Sequence, residues 1–321
     1  MGPSEKQHRL QVIVAFALVY VLWGGTYLGM RVAVEHIPPY VLGSVRFLIA
    51  GVSMLAWCAF SGRKIRINRR DMLRLLTVGV LLLSVANMGV VWAEEYVSSG
   101  LTALIVAAVP IWVAILEAWA FRTRRLPLMG LVGLALGIAG MLVLIWPRLT
   151  SGTHLSHMEL IGVGILIAAC LSWALGSILS GRWSLSVDIF TGAAWQMTFA
   201  GLVNTLIALA TGGFHKAVWT SRGVWAVVYL VTCGSWIGFT AYIWLLEHVP
   251  TPKVATYAYV NPIVAIFFGW LLLNEKVDTF MLVGTLVIVA AVVLVTRSKL
   301  IRMKAAPTGA EEPALSAATG D

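Results

Sequence analysis

The chain has 321 residues, of which 60% are hydrophobic and 12% charged, with a formal net charge of +9. So few polar side chains cannot cover a soluble particle of this size, which excludes a water-borne globular domain and places the chain in a bilayer. The basic residues lie in short loops and tails, so they orient the protein against anionic headgroups and imply no nucleic-acid partner.

Residues 1–11 read as a cytoplasmic tail, with Lys6 and Arg9 ahead of a first apolar run at about 12–30. A signal peptide begins in the same way. This run lacks a small-residue cleavage site, however, and is long enough to span, so it is expected to be a mature helix. Runs near 40–60, 75–93, 99–121 and 127–146 follow, each close to the twenty or so residues that cross roughly 30 Å of hydrocarbon as a helix. A periplasmic linker is predicted at 147–158. Five more runs then come near 159–180, 189–211, 223–246, 253–273 and 279–296, before a disordered-looking cytoplasmic tail at 298–321. The predicted fold is an all-α membrane protein of ten transmembrane helices. One set of loops carries only Arg31, Arg148, Lys216, Arg222 and Lys276, and the other set carries nearly all remaining Lys and Arg, so both termini are expected in the cytoplasm.

The ten runs fall into two units, 12–146 and 159–297. A shift of 152 positions lays Trp92, Glu95, Val97, Ala103, Pro110 and Ile111 on Trp244, Glu247, Val249, Ala255, Pro262 and Ile263. "LWGGTY" at 22–27 recurs loosely as "SWALGS" at 172–177, with Trp23 over Trp173, and "RFLIAG" at 46–51 matches "QMTFAG" at 196–201. A unit with an odd number of spans re-enters the membrane from the opposite side, so an inverted repeat is predicted. That arrangement lets one fold open to either face around a substrate held near the midplane.

Pro110 and Pro262 fall near mid-span, where proline deletes a helical hydrogen bond and frees a carbonyl, at Val106 and Ala258. Such helix kinks either pack against neighbours or line a wet cavity. "ATYAYVNP" at 255–262 supplies Tyr257, Tyr259 and Asn261, whose polar atoms either orient a ligand or bond adjacent helices. Arg46 lies about six residues into the second span and either snorkels to the headgroups or faces the bundle and attracts an anionic group, while Gln196 is its uncharged repeat mate. With Trp23, Tyr27, Asn87, Trp92, Trp173 and Trp244, these residues form the expected substrate cavity. Glu95 and Glu247 end the third and eighth spans, either as solvated helix ends or as gating and proton-coupling carboxylates, whereas Glu94 has no acidic mate. Gly133 with Gly137, and Gly25 with Gly29, have the small-xxx-small spacing of helix contacts. Cys58, Cys170 and Cys233 read as core residues, and the six histidines show no ligand spacing, so no metal or cofactor is expected.

"LWGGTY", "VRFLIAG", "ALIVAAVPIWVAI", "SWALGS" and "TYAYVNPIVAIFFGWLLLNE" together resemble the EamA family of the drug/metabolite transporter superfamily, over nearly all of 10–298. The likeness is nearest to bacterial inner-membrane metabolite exporters. It implies two EamA repeats around a cavity lined by the first, third, fourth, sixth, eighth and ninth helices. The family's glutamate motif matches Glu275 in "NEK", while the first half has "FRTRR" instead. The expected function is secondary export of a small, amino-acid-like metabolite across the inner membrane by alternating access, by a monomer or homodimer with proton coupling as one mode. A multidrug exporter or an importer of the same fold is the alternative. A membrane enzyme is the remote rival, because no acid, base or metal cluster is visible.

Overall fold

The computed structural model describes residues 3–96, 102, 105–119, 128–149, 157–273 and 279–304, and the elements among them are helical. Ala103, the "FRTRR" stretch, Glu275, residues 150–156 and the tail from 305 lie outside the described residues. Among the described residues six helices are long and apolar enough to cross a membrane: Glu5–Val34, Pro39–Phe60, Arg69–Ala93, Leu160–Arg182, Ile189–Ala210 and Ser221–His248.

In chain order, α1 (Pro3–Val34) is followed by α2 (Pro39–Phe60), which starts on a proline where the missing N–H has no intrahelical partner anyway. The third span is composite: α3 (Arg69–Gly79), a π-helical segment (Val80–Ala86) and α4 (Asn87–Ala93). Asn68 caps its start, accepting the Asp71 amide at 2.8 Å. Then come α5 (Val109–Trp119), α6 (Leu128–Leu149), α7 (His157–Arg182) and α8 (Ile189–Ala210), the last capped by Asp188. The eighth span repeats the composite pattern: α9 (Ser221–Tyr229), a π segment (Leu230–Phe239) and α10 (Thr240–His248). A single turn, α11 (Thr251–Val254), precedes α12 (Tyr257–Leu273) and α13 (Thr279–Lys304).

The prolines differ from the expectation of two equivalent mid-helix kinks. The fourth apolar run breaks at Ala108, and Pro110 lies in the first turn of α5, where it disrupts nothing. Pro262 does lie inside α12, but the chain turns earlier, at residues 255–256.

The two halves meet along α2 and α8, which run antiparallel: Ser44 bonds Thr205, Leu48 abuts Gly201 and Gly51 abuts Thr198, positions rising on one helix as they fall on the other. Gly51 and Gly201 are repeat mates, as are Leu48 and Thr198, so each contact is the image of the other. Hydrogen bonds repeat the relation. Ser84 Oγ donates to the Ala200 carbonyl (3.2 Å), while its mate Trp236 donates through Nε1 to the Ala50 carbonyl (3.0 Å). Packing follows suit, with α1 against α12 and the eighth span, and α7 against α5 and the third.

The connecting segments also sort by charge. Arg63 pairs with Asp188 at 3.0 Å and Asp71 accepts the Ser186 amide at 3.0 Å, joining two basic-side loops. On the other side, the Val218 amide donates to the His36 carbonyl at 2.9 Å.

Candidate functional site: a central cavity between the halves

The π segments matter because each extra residue per turn loosens carbonyls that an α-helix would engage, and such segments are common at functional sites. Across the bundle, these carbonyls are met by the opposite half. Trp23 Nε1 on α1 donates to the Gly234 carbonyl at 3.0 Å, and Ser172 on α7 donates to the Leu81 carbonyl at 2.8 Å.

Between these contacts lies an empty space of about 690 Å³, counted out to its opening. The room within it for water is only about 70 Å³, below the roughly 300–1,000 Å³ of typical small-molecule sites, so the cavity is narrow in this conformation. Part of its lining is aromatic: Trp23 meets its repeat mate Trp173 edge-to-face at 5.6 Å and Tyr257 joins them, while Tyr242, outside the lining, completes a cluster with centroid separations of 4.9 to 6.4 Å. Edge-to-face geometry suits the ring quadrupoles, and each polar tip needs a partner when buried. Trp173 Nε1 accordingly donates to the Tyr242 hydroxyl at 2.9 Å.

Polar groups also line the space. Arg46 is 4% exposed, and its Nε donates to Ser235 Oγ at 2.9 Å while Nη1 is buried without a hydrogen-bond partner. Gly234 makes the space, since a Cβ there would come within 2.8 Å of Arg46 Nη2. Asn87 and Asn261 also line the cavity, each with a buried, unpartnered Oδ1.

The two halves match the EamA-like transporter family model over residues 10–146 and 160–297, which together cover most of the chain. The chain belongs to the EamA-like transporter family. It is 37% identical over 292 residues to the "Uncharacterized inner membrane transporter YedA" of Escherichia coli K12, covering 90% of this chain and 92% of that protein. It is 23% identical to the "Uncharacterized transporter YoaV" of Bacillus subtilis, over 89% of this chain and 97% of the relative. A solved crystal structure shares the fold with a TM-score of 0.74 at 17% identity, covering 90% of this chain and 98% of that one. This EamA-like chain is therefore a multi-pass inner-membrane transporter; family and relatives point away from an enzyme.

Of the residues expected in an EamA cavity, the structure brings together Trp23, Tyr27, Arg46, Asn87, Trp173, Tyr257 and Asn261. Four expected residues lie elsewhere. Trp92 is in an outer groove beside Glu95, His36 and Lys216. Trp244 stacks on His248 at 4.1 Å and borders an apolar groove with Met54 and Trp57. Tyr259 is pressed against Gly137 of α6, and the Gln196 backbone carbonyl packs on Gly79. The second span, through Arg46 and Phe47, joins the helices that the resemblance named as cavity-lining.

Sequence reading missed Ser235, Gly234 and Tyr242. A 152-residue shift applied to Leu83 and Val90 would have flagged Ser235 and Tyr242, because both pairs occupy matched positions in the composite spans.

Glu95 and Glu247 are exposed, whereas Glu94, just past the last residue of the third span, is half-buried with Oε2 fully buried and unpartnered. Burial pushes its carboxyl up to about 7, against the pull of Arg31. Among the described residues no group of three or more His, Cys, Asp or Glu could hold a metal ion.

Proposed function

We propose that this transporter exports a small organic, amino-acid-like metabolite across the inner membrane by alternating access, as a secondary carrier of ten spans in two inverted repeats with both termini cytoplasmic. One observation carries the reading: residues of both halves line the cavity, and the repeat mates Trp23 and Trp173 meet at its wall. Tilting one half against the other moves the opening from one face to the other while the site stays in place. The antiparallel pairing of α2 with α8 supports the inversion, and the loops that meet on each side support the assignment of faces.

The test is flux in proteoliposomes of defined orientation, loaded with candidate metabolites, with counterflow measured from both sides. Saturable exchange from either side is the expected result. Flux no greater than in empty vesicles across a broad metabolite set, from protein shown to be folded, overturns the proposal.

Trp23→Phe is expected to fold, since it keeps the ring contacts, but to lose the bond to the Gly234 carbonyl. One buried hydrogen bond is worth about 1 to 1.5 kcal/mol, so flux should fall about tenfold. Unaltered flux would mean that the contact between α1 and the π segment takes no part in the transport cycle.

A further inference from the structure

The pseudo-symmetry of the cavity is broken chemically at three matched pairs of lining residues. Under the 152-residue shift, Ser235 corresponds to Leu83, Asn87 to Phe239 and Asn261 to Val109, and all six line the same space. Each pair therefore matches a hydrogen-bonding side chain in one half with an apolar one in the other. Arg46 adds a further polar group, and its mate Gln196 does not line the cavity. No acidic side chain among the described residues pairs with Arg46, although it is a buried cation within a membrane span. A guanidinium in that position needs an anion to complete it, and its fork geometry matches a carboxylate. Among the described residues no second cation lines the space, which suits a single negative charge rather than a phosphate dianion. The unpartnered carboxamide oxygens of Asn87 and Asn261 accept hydrogen bonds, so the ligand must donate them.

Resting on the transporter reading above, we infer that Arg46 is the anchor for the carboxylate of a small amphipathic monocarboxylic acid. The ligand carries an amine or hydroxyl near that carboxylate, facing Asn87 and Asn261, and an apolar body against Leu83, Phe239 and Val109. Ser235 holds the guanidinium through Nε and leaves Nη1 for the ligand.

The experiment measures binding to the purified full-length protein with four probes that share one apolar body: leucine, 2-hydroxy-4-methylpentanoate, 4-methylpentanoate and leucinamide. The first two are expected to bind at least tenfold more tightly than leucinamide, which lacks the carboxylate, with 4-methylpentanoate in between. Arg46→Gln should abolish that preference by weakening the carboxylates while leaving leucinamide within about twofold. Arg46→Lys, which keeps the charge, should retain the preference at reduced affinity and serves if the glutamine variant does not fold. Leucinamide binding as tightly as leucine, or Arg46→Gln weakening all probes equally, overturns the anchor. If none of the probes binds while proteoliposomes transport neutral or cationic compounds, the anchor falls and the transporter reading stands; loss of flux for every compound class overturns that reading instead.

Discussion

Gly51→Ala is expected to destabilise the protein by about 3 kcal/mol, whereas Gly164→Ala should be neutral or stabilise it by up to about 1 kcal/mol. Both glycines are in helices, so the change in intrinsic propensity is the same and favours alanine. Their surroundings differ. A Cβ at Gly51 would lie 2.5 Å from the Thr198 backbone nitrogen and 2.9 Å from the Ala194 carbonyl, and backbone in a packed helix cannot step aside as a side chain can. At Gly164 nothing lies within 4 Å. Gly201→Ala, with its Cβ at 2.7 Å from the Leu48 nitrogen, should repeat the effect of Gly51→Ala. Because either substitution forces the same two helices apart, the double variant should cost less than the two singles together. Unfolding in detergent checks all four variants. Equal behaviour of Gly51→Ala and Gly164→Ala would mean that α2 and α8 do not cross at the observed distance.

The membrane class, the two-part repeat and the family were legible in the sequence because they rest on composition and on matched residues, which need no knowledge of which way a side chain points. The cavity was only partly legible, and the misses share a cause. Each of these spans is apolar nearly all round, so no hydrophobic stripe marks the inward face. Tyr257 and Asn261 are four residues apart and share a face of α12, which leaves Tyr259, midway between them, on the opposite side against Gly137. Trp92 lies five residues beyond Asn87, well round the helix from it. The π segments compound the problem, since each wide turn shifts the phase of the residues that follow and spoils a count carried through 80–86 or 230–239. Gln196 misled for another reason: repeat alignment carries positions between halves, but not the side chain's role once one copy has changed from a cation to an amide.

Glu94→Gln is expected to remove most of the protein's pH dependence around neutrality, both in stability and in flux. The folded carboxyl is raised from its ordinary value of 4.5 to about 7 by burial, with Arg31 of α1 opposing, so the folded protein holds this proton more tightly than the unfolded chain does. Stability from this group is therefore full below the unfolded value, declines as pH rises between the two values and is lowest above the folded one. Wild-type protein should accordingly unfold more easily at pH 8 than at pH 5, and the variant should narrow that gap. The groups of α1 that bear on this carboxyl are Arg31 and Tyr27; Tyr27 also lines the cavity, and Cys170 of α7 faces Tyr27. A proton on Glu94 removes a charge beside that cavity wall, which supplies a route for coupling proton binding to substrate. Wild-type flux should then change most steeply within about a unit of pH 7, and the variant's profile should be flat there. The exposed carboxylates at the ends of the third and eighth spans provide the contrast. If Glu95→Gln and Glu247→Gln flatten the profile while Glu94→Gln leaves it intact, coupling belongs to that symmetric pair. If Glu94→Gln alone does so, the carboxylate without an acidic repeat mate carries the proton, in keeping with a cavity whose two halves have already diverged at Arg46 and Gln196.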